Sequence, residues 1–283
     1  MLQCIKCKKA LSKLEMKSSK TKSYKCECGY IYKYKKNYIK YTYDQLLFET
    51  YKKEYLLNKV LNNNAYLSYL FEKEGPLSLA NRSDVARFRL FINRYIKKDT
   101  EVVVDVGCGI MKEPGYLDYQ LFKKNKIFVV GIDPIDSDNF EGLRIVGCSE
   151  YIPLMDKKAD IAIFATSLDH VCSINRTLTE VNRILKVKGK VIIWMSDRSA
   201  SIVEKAKNII EDIKHIYIEG FSLNEYSVHL NNLIYYIPKG AVDPFHSFNE
   251  TPDLIIKLAK KAKFKLVDIT RNGKNEIFIA LSK

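Results

Sequence analysis

Several stretches of this chain are apolar at every position, with no polar residue alternating in. Val102-Val103-Val104 and Ile161-Ala162-Ile163-Phe164 are the clearest. A strand with one wet face alternates apolar and polar residues, so unbroken runs belong to strands covered on both faces. Strands are predicted over residues 101–106, 127–133, 143–148, 159–166, 189–195, 264–270 and 276–281. Helical patterns lie among them. Ser83 as an N-cap opens a stripe of Val85, Phe88, Phe91, Ile92, Tyr95 and Ile96. Ser173 opens another of Ile174, Leu178, Val181 and Leu185, and Thr251-Pro252-Asp253 starts a third. Such an order predicts an α/β fold around a doubly wound, seven-stranded, mostly parallel sheet. Only Arg271-Asn272-Gly273-Lys274-Asn275 joins the last two strands, which predicts a hairpin and one antiparallel edge strand.

Residues 1–41 are a different kind of sequence. Cys4-Ile5-Lys6-Cys7 and Cys26-Glu27-Cys28 place two close thiol pairs 18 residues apart. Clustered cysteines in a reducing compartment point to metal binding, not to a disulfide framework. Cys4, Cys7, Cys26 and Cys28 are therefore expected to hold one structural Zn²⁺ in a small zinc ribbon, since four thiolates leave no open coordination position. So short a module lacks a core of its own, and the metal would supply much of its folding energy.

The net charge of +14 is concentrated in the same segment. Twelve lysines stand there against Glu15 and Glu27, which leaves only +4 for the remaining residues. Lys and Tyr interleave from Tyr30 to Tyr38, a strip able to hold phosphates and stack bases of RNA. The competing reading packs the tyrosines inward and leaves the lysines in water. Residues 42–80 read as a helical connector and 81–283 as the large domain. Within the latter, 197–250 exceeds a plain strand-to-helix link and is expected to form a lid or acceptor insertion.

The sharpest local signal is Val104-Asp105-Val106-Gly107-Cys108-Gly109, a buried strand that ends in a carboxylate and enters a glycine loop. The second strand ends Gly131-Ile132-Asp133, an acid placed to accept hydrogens from ribose hydroxyls. The third leads to Cys148-Ser149-Glu150, and the fourth to Ala165-Thr166-Ser167. In this order and spacing the chain resembles the class I, type 11-like, S-adenosylmethionine-dependent methyltransferases with their Rossmann-like fold. Arg183-Ile184-Leu185-Lys186 resembles that family's approach to strand five. The resemblance implies S-adenosylmethionine as cofactor. Asp105, Gly107 and Gly109 would lie near its methionine part and Asp133 on the ribose. Cys148 and Ser149 would flank the adenine, with Ala165 completing the set. A hydride-transfer Rossmann site would need glycine where Lys112 stands.

Methyl transfer needs an aligned acceptor and, for a hydroxyl, a base. Asp169, His170 and His246 are the candidates. No Asn/Asp-Pro-Pro-Tyr sequence follows strand four, where Ala165-Thr166-Ser167-Leu168 stands, so an adenine or cytosine amine is disfavoured as acceptor. The expected acceptor is a small-molecule or glycan hydroxyl. An RNA acceptor docked by the ribbon is the alternative, and that arrangement resembles a ribosomal-RNA guanine methyltransferase family, whose metal site usually includes a histidine. A third reading is a non-catalytic adaptor. It rests on Met111, where the family's third glycine usually stands, and on Cys148 in place of an adenine-side acid. No apolar run approaches the ~18 residues of a membrane span, and the N-terminus lacks a signal peptide's apolar region, so a cytoplasmic location is expected.

Overall fold

A computed structural model describes residues 1–12, 14, 17–41, 82–134, 137–171, 173–196, 251–272 and 276–283. The connector at 42–80, the insertion at 197–250 and His246 within it lie outside the described residues.

The strands are β1 (Lys22–Lys25), β2 (Ile31–Lys35), β3 (Tyr38–Tyr41), β4 (Val102–Val106), β5 (Phe128–Asp133), β6 (Leu143–Val146), β7 (Ala159–Ala165), β8 (Leu185–Ser196), β9 (Lys265–Asn272) and β10 (Glu276–Ser282). Among the described residues the helices are α1 (Ser83–Asn93), α2 (Tyr119–Asn125), α3 (Ile174–Ile184) and α4 (Pro252–Lys261). The ten described strands form one sheet in the order β1-β2-β3-β6-β5-β4-β7-β8-β10-β9.

The unbroken apolar runs are explained by two cores, one on each face of the sheet. Val104, Val130, Ala162 and Val191 join the core covered by α3 and α4. Their neighbours Val103, Val129, Ile161 and Ile192 join the core covered by α1 and α2. Successive strand residues point to opposite faces, so both sets must be apolar.

The mostly parallel Rossmann-like sheet is present, with β4–β5, β5–β6, β4–β7 and β7–β8 all parallel. The expected hairpin is present too, but its antiparallel strand is not at the edge. β10 lies between β8 and β9, antiparallel to both. The reason lies in the two sequences. Ile277-Phe278-Ile279-Ala280-Leu281 is buried throughout and takes the interior place. β9, with Lys265, Asp268 and Arg271, takes the solvent-facing edge, where charge discourages further strand pairing.

Helix starts follow local chemistry. Ser173 Oγ accepts from the Arg176 amide, and Thr251 Oγ1 accepts from the Leu254 amide ahead of Pro252 at the first turn. Ser83 is not the cap expected of it. It is the first helical residue, Arg82 occupies the cap, and Ser83 Oγ accepts from the Arg87 guanidinium instead. Leu185, read as helical, begins β8.

The N-terminal ribbon is not a separate body. β3 pairs in parallel with β6, matching Tyr38 to Arg144, Ile39 to Ile145 and Lys40 to Val146. The ribbon thus extends the sheet on one side, and Cys4, Ile5, Tyr32, Ile39 and Tyr41 share a core with Ile145 and Leu154.

Candidate cofactor site and metal centre

The chain runs outward through β4, β5 and β6, then returns to place β7 on the other side of β4. At such a reversal the loops after two neighbouring strands diverge and leave a crevice at their carboxyl ends. The loop after β4 meets the loop after β7 there. Ser167 Oγ donates to the Val106 carbonyl, and a Cβ on Gly107 would overlap the Ser167 side chain. Gly107 and Gly109 both adopt positive φ, 77° and 63°, a conformation glycine takes without steric penalty. A Cβ on Gly109 would meet open space, so its freedom lies in backbone shape alone.

Asp105 is fully buried. Tyr116 donates its hydroxyl to Asp105 Oδ2 at 2.9 Å, whereas Oδ1 meets no donor among the described residues. Burial pushes its carboxyl up to about 7, with Asp133 adding repulsion, while the Tyr116 hydroxyl and Arg144 pull the other way. Asp133, at the end of β5, accepts from the Gly109 amide at 2.9 Å. Two acids on adjacent strands therefore stand near one another, and one of them holds the glycine loop.

Sequence reasoning missed Arg144. It lies in the middle of β6, wholly buried, and donates to the Gly109 carbonyl at 2.7 Å and to Cys108 Sγ, with its guanidinium 4.0 Å from Asp133. A buried guanidinium needs acceptors and negative charge around it. Here it finds both in the loop that carries Gly107 and Gly109, which it props from below. The signal was available as a lone arginine inside Leu143-Arg144-Ile145-Val146.

After β6, Cys148, Ser149 and Glu150 form a buried turn. Ser149 Oγ lies 2.8 Å from Thr177 Oγ1, and Glu150 accepts from the Ser173 amide at 2.8 Å, where α3 begins. A carboxylate suits a helix N-terminus. Ala165 closes β7, facing the core under α1. Asp169 and His170 sit in a short 3-10 turn, Leu168–His170, directly after Ser167, with His170 Nε2 3.8 Å from Asp169 Oδ1. These two therefore stand beside the crevice.

Cys4, Cys7, Cys26 and Cys28 gather with all four sulfurs within 4.8 Å of one another. Cys4–Cys28 and Cys7–Cys26 are both 3.6 Å apart. Four sulfurs at ~2.3 Å from a tetrahedral zinc would stand about 3.8 Å apart, so the cluster fits that ion. Burial raises the Cys4 thiol, but the Tyr32 hydroxyl and the backbone amides of Cys7 and Lys6 outweigh it and bring the group down to about 7.

On the ribbon, Tyr32, Tyr34 and Tyr38 are buried, while Lys33 and Lys36 are exposed. The inward-packed arrangement of the two considered is the one observed. Buried rings offer no stacking platform for bases.

The family described as a hypothetical methyltransferase matches residues 80–237. Two uncharacterised proteins of Methanocaldococcus jannaschii are similar in sequence. One is 25% identical over 201 residues, covering 69% of this chain and 84% of its own length. The other is 27% identical over 144 residues, covering 44% and 53%. The fold is similar to that of Burkholderia thailandensis 1,6-didemethyltoxoflavin-N1-methyltransferase, solved with 1,6-didemethyltoxoflavin and S-adenosylhomocysteine bound. That match has a TM-score of 0.52 at 12% identity, over 81% of this chain and 89% of the other. No helix among the described residues is long and apolar enough to cross a membrane.

Proposed function

The chain belongs to this methyltransferase family and is an S-adenosylmethionine-dependent enzyme; from that premise we propose that it methylates a hydroxyl on a small molecule or a glycan, in the crevice at the carboxyl ends of β4, β5 and β7. The observation that carries the site is Asp133 bonded to the Gly107–Gly109 loop, with the buried carboxyl of Asp105 near enough to feel its charge. The cofactor supplies a methyl group on a positively charged sulfur. Asp105, with Oδ1 unmatched by any described donor, would face the cationic methionine part. Asp133 would take the ribose hydroxyls, for which the Gly109 amide is its present stand-in. Cys148 and Ser149 would flank the adenine, and Gly107, Gly109 and Ala165 would bring backbone close to the ligand.

Asp169 and His170 would receive the proton that the acceptor hydroxyl loses as its oxygen bonds to the methyl carbon and the sulfur–carbon bond breaks. Their neighbouring side chains suit a base and its orienting partner. His246 is proposed for the same task from its sequence position alone. The zinc, held by Cys4, Cys7, Cys26 and Cys28, would be structural. Family membership sets aside the adaptor reading. An RNA acceptor would now rest on the exposed lysines, with Tyr32, Tyr34 and Tyr38 packed inward, which favours the smaller acceptor. The Burkholderia enzyme of similar fold, with its small-molecule ligand, accords with that preference.

The test is calorimetry with S-adenosylmethionine. Asp133→Ala should weaken binding by about 1.5–3 kcal/mol, the range for hydrogen bonds to a charged group. Unchanged affinity in a folded variant would defeat the assignment. Methyl transfer to a panel of hydroxyl acceptors and to structured RNA then decides the acceptor class.

A further inference from the structure

The junction between the ribbon and the cofactor crevice centres on Tyr41. This residue ends β3, one position beyond the Lys40–Val146 pair, and so falls opposite Gly147. Its ring fills the space a side chain at 147 would need, for a Cβ there would overlap the Tyr41 ring. The ring is buried. Its hydroxyl reaches the Cys148 carbonyl at 2.6 Å and the Tyr151 carbonyl at 2.7 Å. One hydroxyl hydrogen serves both acceptors. The Tyr151 amide also bonds back to the Cys148 carbonyl, at 3.2 Å, so Tyr41 clasps both ends of a tight turn.

That turn is Cys148–Tyr151, already read as the adenine flank. Its start is fixed to the ribose acid's strand, because the Gly147 amide donates to the Asp133 carbonyl at 3.0 Å. Its far side is fixed to α3 through Ser149 and Glu150. The remaining side is held by the ribbon. Beyond the turn, the Gln3 amide donates to the Pro153 carbonyl and the Met155 amide to the Met1 carbonyl, both at 2.8 Å, so the ribbon grips this segment at two points.

Without the hydroxyl, the Cys148 carbonyl would keep only the longer bond from the Tyr151 amide and the partly buried Tyr151 carbonyl would lose this donor, and the backbone moves to relieve such a loss. We propose that Tyr41 is a positioning residue for the cofactor: through its hydroxyl the metal-binding ribbon sets the shape of the Cys148–Tyr151 turn and thereby the affinity for the adenosine moiety. The ribbon is then part of the cofactor wall. This inference rests on the reading of Cys148 and Ser149 as the adenine flank.

The experiment uses the full-length, metal-loaded protein and S-adenosylhomocysteine as the probe. Tyr41→Phe keeps the ring over Gly147 and removes only the hydroxyl. Its dissociation constant should rise roughly three- to tenfold, with zinc content unchanged. A packing role alone would lower the urea midpoint and leave the constant where it was. Gly147→Ala attacks the same contact from the other side by displacing the ring, and should weaken the probe in the same direction. It decides the matter if Tyr41→Phe fails to fold. Lys33→Ala, on the exposed face of the same ribbon, should change nothing. Folded Tyr41→Phe or Gly147→Ala with wild-type affinity, alongside a weakened Asp133→Ala, overturns the inference and spares the cofactor site. If Asp133→Ala also binds like wild type, the cofactor site itself is misassigned and the inference falls with it.

Discussion

At one end of the parallel sheet, β10 pairs with β8 over seven residue pairs, Glu276–Ser196 through Ser282–Lys190. Phe278 there packs against Phe88 at 5.0 Å, Phe91 at 5.4 Å and Trp194 at 5.9 Å. At the other end, β3 meets β6 over three pairs, and beside the apolar core that Ile5, Ile39 and Tyr41 share with Ile145 and Leu154 stand hydroxyls, thiols and carbonyls. Both ends finish a parallel sheet with antiparallel strands, yet one is secured chiefly by apolar area and the other adds to its apolar contacts a set of polar bonds and a cysteine cluster. Apolar burial needs no bound ion. A zinc on the four cysteines would contribute to folding only while it is bound, so the second end would be conditional. The 148–151 turn, proposed above as the adenine flank, lies beside that end.

The largest effect should come from the metal. We expect one zinc per chain, and Cys4→Ser or a strong chelator should unfold the ribbon. Structural zinc contributes an apparent ~10–16 kcal/mol in small modules, more than three strand pairs replace. Hydrogen exchange should show β3 losing protection while β10 keeps it. Ribbon strands that stay protected after stripping, or a preparation with no stoichiometric metal, would break the contrast between the two ends.

Next in size is Phe278→Ala, which should lower the unfolding free energy by about 3–5 kcal/mol, as for other large aromatic deletions in a core. Its signature should be the reverse of zinc removal: a lower urea midpoint with zinc content and S-adenosylhomocysteine affinity intact. A variant that loses cofactor affinity as well would mean that the two ends are coupled through the sheet.

The same contrast explains what the sequence showed and what it hid. The apolar end was legible, because unbroken apolar runs and period-3.6 stripes report burial directly, and the strand limits fall within a few residues of those predicted. Asp105, Gly107, Gly109 and Asp133 were legible because they stand where strands end. The docking of β3 on β6 was not. Three residue pairs join positions more than a hundred apart in sequence, and nothing local marks them. Tyr41 lies beyond the Lys-Tyr strip that ends at Tyr38, and no local pattern marks it. Arg144 was overlooked because its strand was read for apolar content only. The helix α2, capped by Asp118 and closed by Lys126 at φ 57°, is too short for periodicity to register.

The last test belongs to neither end. Asp105 lies on β4, inside the sheet, and its carboxyl is pushed up to about 7 from 3.8, by burial above all. Between those values the native state holds a proton that the unfolded chain has lost. This group's contribution to stability is therefore full at low pH and is lost as pH rises from 3.8 to about 7. Cofactor binding should run the opposite way, because only the ionised carboxylate attracts a cation. Affinity for S-adenosylmethionine should fall as pH drops below about 7, approaching tenfold per unit. Asp105→Asn should flatten that profile, which calorimetry at a series of pH values would record. On the proposed reading the ribbon bears on the adenine side and Asp105 on the methionine side. Metal-stripped protein should therefore bind more weakly at every pH with the same pH slope. A slope that disappears with the zinc would show that the conditional end reaches the centre of the sheet, and the division between the two ends would have to be withdrawn.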